Sequence, residues 1–180
     1  TYVNDATAPL YGLGGPFTPA LTRVDLPATE RGGLFTQLGF LASHAYPSTS
    51  DPIHRGVFIQ RKVLCAIIDA PPVGAEMTPL PPLDANVRTM RQRVSAQTSP
   101  ESCQNCHFLI NSAGFAFENY NSIGRYQTMD NGEAVNAAGM LPLLEGDYNF
   151  SNALDLMRGI SQSDDGKRCY VTQWFRYACL

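Results

Sequence analysis

Two cysteines and a histidine in the stretch Cys103-Gln104-Asn105-Cys106-His107 have the types and spacing needed to attach a haem. A Cys-x-x-Cys-His sequence is the attachment signature of c-type haem. On one helical turn the two thiols can form thioethers with the two vinyl groups of a porphyrin, and the adjacent imidazole can bind the iron. The spacing therefore predicts one covalently bound haem c, attached through Cys103 and Cys106, with His107 as the proximal ligand.

Two other chemistries use a pair of thiols at this spacing. A structural zinc site needs four ligands, and the chain has no second Cys-x-x-Cys pair to complete one. A thioredoxin-type redox pair lies within a βαβ pattern, which the surrounding sequence lacks. Haem attachment is therefore the interpretation that the motif favours.

The residues around the motif predict the helices that position it. Ser99-Pro100-Glu101 combines an N-cap residue, a first-turn proline and a first-turn acid, so a helix should begin there and carry the cysteines. Val87, Met90 and Val94 form an apolar stripe that predicts a helix leading into the motif. Asp51-Pro52 marks the start of another helix, which should run from 52 to about 66.

Further helices are predicted on both sides of this region. Leu34, Leu38, Leu41 and Ala45 repeat at helical spacing. Near the end of the chain, a helix capped by Ser151 or Asn152 should be followed by a last helix from about 167 onward. Beyond the haem motif the chain is rich in Gly and Asn, and Asp130-Asn131-Gly132 predicts a turn.

A proline-rich connector at residues 70–85 supplies the best candidate domain boundary, because its five prolines cannot continue a helix or a central strand. The patterns together predict a mainly α protein. Residues 1–85 form an N-terminal helical and loop extension that ends in the connector, and residues 86–180 form a class I cytochrome c-like haem domain.

Composition limits the class of protein. The chain has 180 residues, of which 44% are hydrophobic and 16% charged, which is typical of a packed globular core. A net charge of -3 argues against a nucleic-acid partner. No apolar run approaches the length of a membrane span. Because haem is joined to cysteine outside the cytoplasm, the predicted location is periplasmic or extracellular.

The sixth position on the iron decides between an electron carrier and a catalyst. Met140, in Gly139-Met140-Leu141-Pro142, is the first candidate distal ligand, because it lies downstream of His107 and a glycine-proline frame can hold a loop across a haem face. His44, at the end of a predicted helix, is the alternative. A packed core methionine, a surface histidine or an iron without a sixth protein ligand are the remaining interpretations.

Several short strings resemble the planctomycete-type cytochrome C domains, in collinear order over essentially the whole chain. They are the stretches 31–37 and 50–58, the proline-rich connector, the haem motif, 114–120, 124–126 and the ending from Cys169 to Ala178. The resemblance implies a secreted or periplasmic single-haem domain, usually the C-terminal part of a much longer protein. It also implies a Cys65–Cys169 disulfide, which leaves Cys179 unpaired.

These observations favour electron transfer with a redox partner protein over catalysis. One alternative is a peroxidase-like haem enzyme with an open distal site, in which His44 or Arg55 would act above the iron. Another is a structural haem module in a larger assembly. We also expect association with a larger upstream module or another chain, because the N-terminal stretch 1–20 is rich in apolar residues for a Gly- and Pro-rich tail. The same residues could instead fold back over the protein's own core.

Overall fold

Helices and short antiparallel strands both build the protein. The computed structural model describes residues 1–75 and 78–179. Helices make up 41% of the structure and strands 12%. The helices of the described ranges are α1 (Leu38–Ser43), α2 (Pro52–Phe58), α3 (Met90–Gln97), α4 (Glu101–Phe115), α5 (Ala153–Gln162) and α6 (Asp164–Cys179). A 3₁₀ turn at Ala8–Tyr11 and a π-helical turn at Ile59–Val63 accompany them.

Three two-stranded antiparallel sheets complete the fold of the described residues. Their strands are β1 (Tyr2–Val3) with β2 (Thr22–Arg23), β3 (Met129–Asp130) with β4 (Glu133–Ala134), and β5 (Gly139–Leu143) with β6 (Gly146–Phe150). In the longest hairpin Gly139 lies opposite Phe150, and Leu143 lies opposite Gly146. Its first strand, β5, contacts α4, and its second strand, β6, contacts α5.

The prediction of a mainly α protein with a class I cytochrome fold is wrong, because the structure is mixed α/β. The difference lies largely in residues 129–150, which form two hairpins rather than irregular chain. Asn131 and Gly132 both have positive φ, as a tight hairpin turn requires, so the predicted turn is present. Its flanking strands have only two residues each, which is too short for sequence alternation to show.

Helix starts follow local capping chemistry closely. Asp51 caps α2 by accepting a 3.0 Å hydrogen bond from the backbone N–H of His54, as predicted. Asn152 caps α5 in the same way. The helix that carries the haem motif starts at Glu101, with Pro100 rather than Ser99 in the capping position. The first predicted helix is shorter than its apolar stripe, since α1 covers only Leu38–Ser43.

The hydrophobic core combines residues from both sides of the proline-rich connector. Its fully buried members lie on α1, the π-helical turn, α4, the β5–β6 hairpin and α5; examples are Leu41, Ile59, Ala113, Leu141 and Leu156. A smaller cluster joins α3 to the end of α4. The helix that carries the predicted haem ligand is therefore held by packing in its C-terminal part, where Ile110, Ala113, Gly114 and Phe115 are buried.

The N-terminal stretch folds onto the rest of the chain. Val3 and Ala8 are fully buried. The Tyr11 hydroxyl donates a 2.8 Å hydrogen bond to Gln37. Farther along, Arg125 donates a 2.9 Å bond to the Pro9 carbonyl. Among the apolar residues of this stretch Tyr2 stays exposed.

Candidate functional site

The haem motif lies on the first two turns of α4. Cys103, Cys106 and His107 are half-buried there. Neither motif cysteine is part of a disulfide. At 3.6 residues per turn, Cys103 lies about 40° and Cys106 about 100° from His107 around the helix axis, on the same side of it. The two thiols and the imidazole therefore point into neighbouring directions along one strip of the helix.

A cleft of about 460 Å³ opens beside this strip. Its walls come from α3 and the segment after it, from α4 and from β5. The lining residues are Arg91, Ser95, Thr98, Ser99, Gln104, His107, Phe108, Asn111, Ser112, Phe115, Gly139 and Met140. The cysteines are not among these residues, so His107 stands between the thiols and the cleft.

Met140 lines the same cleft as His107. Two hydrogen bonds tie its backbone to α4: the Met140 N–H donates to the Ser112 hydroxyl at 3.1 Å, and that hydroxyl donates to the Met140 carbonyl. Gly139 has no room for a side chain, because an added Cβ would come within 2.6 Å of the Phe150 ring. The structure thus places Met140, the first candidate distal ligand, and His107, the predicted proximal ligand, in the lining of one cleft.

His44 lies elsewhere in the fold. It ends α1, where its Nδ1 is 2.9 Å from the Phe40 carbonyl oxygen. Its ring packs at 4.6 Å from the Phe40 ring and at 4.8 Å from the Phe58 ring, measured between centroids. His44 does not line the cleft that contains His107. The structure therefore does not bring the alternative distal ligand to this site.

Arg55, the predicted charge-stabilising group of a peroxidase-like site, is completely buried. All of its N–H-bearing nitrogens donate to backbone carbonyls. The acceptors belong to Leu41, His44, Phe117, Tyr120 and Asn121. The guanidinium is therefore committed to holding backbone together and does not face the cleft.

The ring of His107 has a hydrogen-bond partner one helical turn away. Its Nδ1 lies 3.0 Å from the side-chain oxygen of Asn111. The Asn111 amide nitrogen in turn donates a 2.8 Å bond to the hydroxyl of Thr98, which is buried at the end of α3. Sequence reasoning did not single out Asn111, although the four-residue spacing on a helix was a usable signal.

Arg91 gives the cleft a positive charge. Its guanidinium donates to the carbonyls of Asn136, at 2.9 Å, and Ala138, at 2.6 Å. It also lies 4.7 Å from the centre of the Phe115 ring. Partial burial lowers the pKa of Arg91 from its usual value, and the charge of buried Glu118 counteracts this effect. The result is a cation held in place on a partly apolar wall.

In residues 1–75 and 78–179, the haem motif included, no group of three or more His, Cys, Asp or Glu side chains is placed to hold a metal ion. Cys65 and Cys169 are joined in the predicted disulfide. In the part of the chain that the structure describes, no helix combines the length and the apolar character needed to cross a bilayer.

The PSCyt3 family, described as a protein of unknown function (DUF1588), matches residues 31–130. The chain belongs to this family, in agreement with the resemblance to planctomycete cytochrome domains over those residues. The match includes α1 to α4, the haem motif and Cys65, and it ends before Met140. No curated protein and no solved structure matches the chain significantly.

Proposed function

We propose that this chain is a single-haem c-type cytochrome domain that transfers electrons outside the cytoplasm. The observation that carries the proposal is the cleft beside the Cys-x-x-Cys-His motif, whose lining includes His107 and Met140. Its volume of about 460 Å³ falls in the range of cofactor pockets. The unpaired thiols of Cys103 and Cys106 lie on the same helix as His107, although they do not line the cleft.

The residues present fit a covalently held haem. Cys103 and Cys106 would form the thioethers, and the Nε2 of His107 would bind the iron from one side. Met140 is the proposed ligand on the other side. Arg91 offers a cation to the carboxylates that every haem carries. When bound, the haem would supply a one-electron change at its iron, whose potential would depend on the Met140 sulfur and the His107 nitrogen as ligands.

The proposed location is periplasmic or extracellular. The Cys65–Cys169 disulfide supports it, because such bonds persist in oxidising compartments and are rare in the cytosol. A redox partner protein would take the electron at the open side of the cleft, where Phe108 is 58% exposed. We also propose that this domain associates with a larger upstream module or with another chain.

Mass spectrometry of the purified protein tests haem attachment. We expect a mass that exceeds the bare chain by one haem and that survives acid-acetone extraction. Replacing both motif thiols, Cys103→Ala with Cys106→Ala, should abolish the extra mass, whereas Cys179→Ser should retain it. A wild-type mass equal to the bare chain would refute the proposal.

Visible spectroscopy tests Met140 as the distal ligand. The ferrous wild-type protein should resist carbon monoxide, whereas Met140→Ala should bind the gas at once, because it leaves the sixth position open. Met129→Leu is the matched control, since Met129 is exposed and lies outside the cleft. Immediate binding of carbon monoxide by the wild-type protein would exclude Met140 as a ligand and would favour an open iron.

A further inference from the structure

A series of three hydrogen bonds connects the backbone of α3 to the imidazole of His107. The Thr98 hydroxyl lies 2.8 Å from the Val94 carbonyl oxygen. The same hydroxyl oxygen lies 2.8 Å from the Asn111 amide nitrogen, and the Asn111 oxygen lies 3.0 Å from His107 Nδ1. Thr98 is 7% exposed, so water has little access to the middle of the series.

The direction of every bond in this series follows from its first member. A backbone carbonyl can only accept, so the single hydroxyl proton of Thr98 points to Val94. Toward Asn111 the Thr98 oxygen is then an acceptor, and Asn111 must turn its NH₂ group to it. The amide oxygen is left facing His107, and it can only accept. His107 therefore carries its proton on Nδ1.

This arrangement has a consequence at the opposite ring nitrogen. A neutral imidazole with its proton on Nδ1 has a free lone pair on Nε2. That is the nitrogen that a metal or haem iron binds when the partner on the other nitrogen sets the tautomer and the ring orientation. The bond to Asn111 also makes the imidazole a stronger electron donor.

We propose that Asn111 and Thr98 are positioning residues that select the Nδ1–H tautomer of His107 and tune its strength as an iron ligand. The tautomer part stands on the hydrogen bonds alone. The ligand part rests on the proposed haem function. A neutral amide acceptor strengthens the imidazole less than a carboxylate would, because hydrogen bonds to ionised acceptors are about twice as strong.

Nitrogen NMR of the full chain, as purified and labelled at histidine, tests the tautomer. We expect a slowly exchanging Nδ1–H signal from His107, which His44→Gln and His54→Gln leave in place. Thr98→Val should speed its exchange, and Thr98→Ser, which keeps the hydroxyl, should restore slow exchange. A proton found on Nε2 in the wild-type chain, or an exchange rate that Thr98→Val leaves unchanged, would overturn the proposal.

The midpoint potential of the haem-bound chain tests the tuning. Asn111→Asp should favour the ferric form by about tenfold, which corresponds to a fall of about 59 mV for one electron. Asn111→Leu should raise the potential, and Thr98→Val should raise it less. Asn105→Asp is the matched control, because it adds the same charge to an exposed position of α4 without a bond to His107.

The two proposals fail in different ways. If Asn111→Asp and Asn105→Asp lower the potential equally, the effect is one of net charge and the positioning role is wrong. If the chain binds no haem, the proposed function fails, while the NMR measurement still decides whether Asn111 and Thr98 select the tautomer.

Discussion

The side chain of Arg55, which lies on α2, connects that helix to two other parts of the fold. Its five hydrogen bonds, at 2.9–3.2 Å, reach carbonyls at the end of α1 and in the segment that follows α4. Burial lowers the pKa of Arg55 to about 10, so the side chain stays charged at neutral pH. The charged guanidinium therefore ties the backbone at the end of α1 to the backbone that follows α4.

Replacing Arg55 should therefore destabilise the protein strongly. Arg55→Met fills much of the same volume but removes all five of these hydrogen bonds, and we expect a loss of about 3–5 kcal/mol in the free energy of unfolding. Arg23→Met, at an exposed position of β2, should change it by less than about 0.5 kcal/mol. Urea denaturation compares the two, and equal midpoints would contradict this account of Arg55.

Glu118 is a second buried ionisable group near Arg55. Its carboxylate accepts hydrogen bonds of 3.0 and 3.3 Å from the Ser50 hydroxyl. Burial raises its pKa from 4.5 to about 7, although Arg55 and Ser50 oppose the increase. The folded protein therefore keeps the proton of this carboxyl at a pH where the unfolded chain has lost it.

Stability should consequently fall as the pH rises from 4.5 to 7. The contribution of Glu118 is fully present below the unfolded pKa and is lost as the pH passes the folded value, with a slope of up to about 1.4 kcal/mol per pH unit. Glu118→Gln should remove this part of the slope. Denaturation between pH 4 and 8 measures it, with the exposed Glu101→Gln as control; identical slopes in wild type and Glu118→Gln would disprove the assignment.

At the scale of elements, the crossing of α2 and α4 depends on two glycines. A Cβ added to Gly56 would lie 2.0 Å from the Ile110 carbonyl oxygen, and one added to Gly114 would lie 1.9 Å from the Pro52 oxygen. Each glycine thus allows the backbone of the other helix to approach. This close packing sets the position of α4, and with it the position of the haem motif.

A methyl group at the crossing should force the helices apart. Gly114→Ala should cost at least about 3 kcal/mol, at the upper end of the range for overpacked sites, because rigid backbone rather than a flexible side chain stands in the way. Gly39→Ala is the matched control in α1, where an added Cβ meets nothing within 4 Å. It should stabilise the protein by about 0.5–1 kcal/mol, as alanine does in helices. Thermal unfolding distinguishes the two, and a neutral Gly114→Ala would refute the packing argument.

At the scale of the molecule, the disulfide joins the chain after the π-helical turn to α6. Cys65 and Cys169 are 104 residues apart in sequence, so the bond closes a loop that contains α3, α4, α5 and the hairpins. Cys169 is buried, and α6 beyond it presents Tyr170, Trp174 and Tyr177 largely to solvent. The bond therefore anchors the last helix to the core at one defined point.

Removing this bond should lower stability by about 4–5 kcal/mol in the chain-entropy model, because the loop that it closes is long. Cys65→Ser combined with Cys169→Ser makes the change, and Cys179→Ser, at an exposed free cysteine, is the control. Guanidinium denaturation should show a large shift for the first variant and none for the second. A shift of less than about 1 kcal/mol for the double variant would mean that the unfolded chain is already constrained.

Features that depend on a few neighbouring residues could be predicted from the sequence. The caps at Asp51 and Asn152, the turn at Asn131-Gly132 and the helix that carries Cys103 to His107 are of this kind. Each rests on a hydrogen bond or a backbone preference within about four residues, so the information is local. The Cys65–Cys169 pairing was predicted as well, but through the family resemblance rather than through any spacing.

Features that depend on distant contacts were decided only by the tertiary structure. The β5–β6 hairpin packs against α4 and α5, and its five-residue strands, one of which contains Pro142, show no clear alternation in the sequence. Burial of Arg55 and Glu118, and the meeting of His107 with Met140 in one cleft, require segments dozens of residues apart to pack together. The local sequence determined which helices and turns form around the motif. Packing between those elements determined which residues line the cleft beside it.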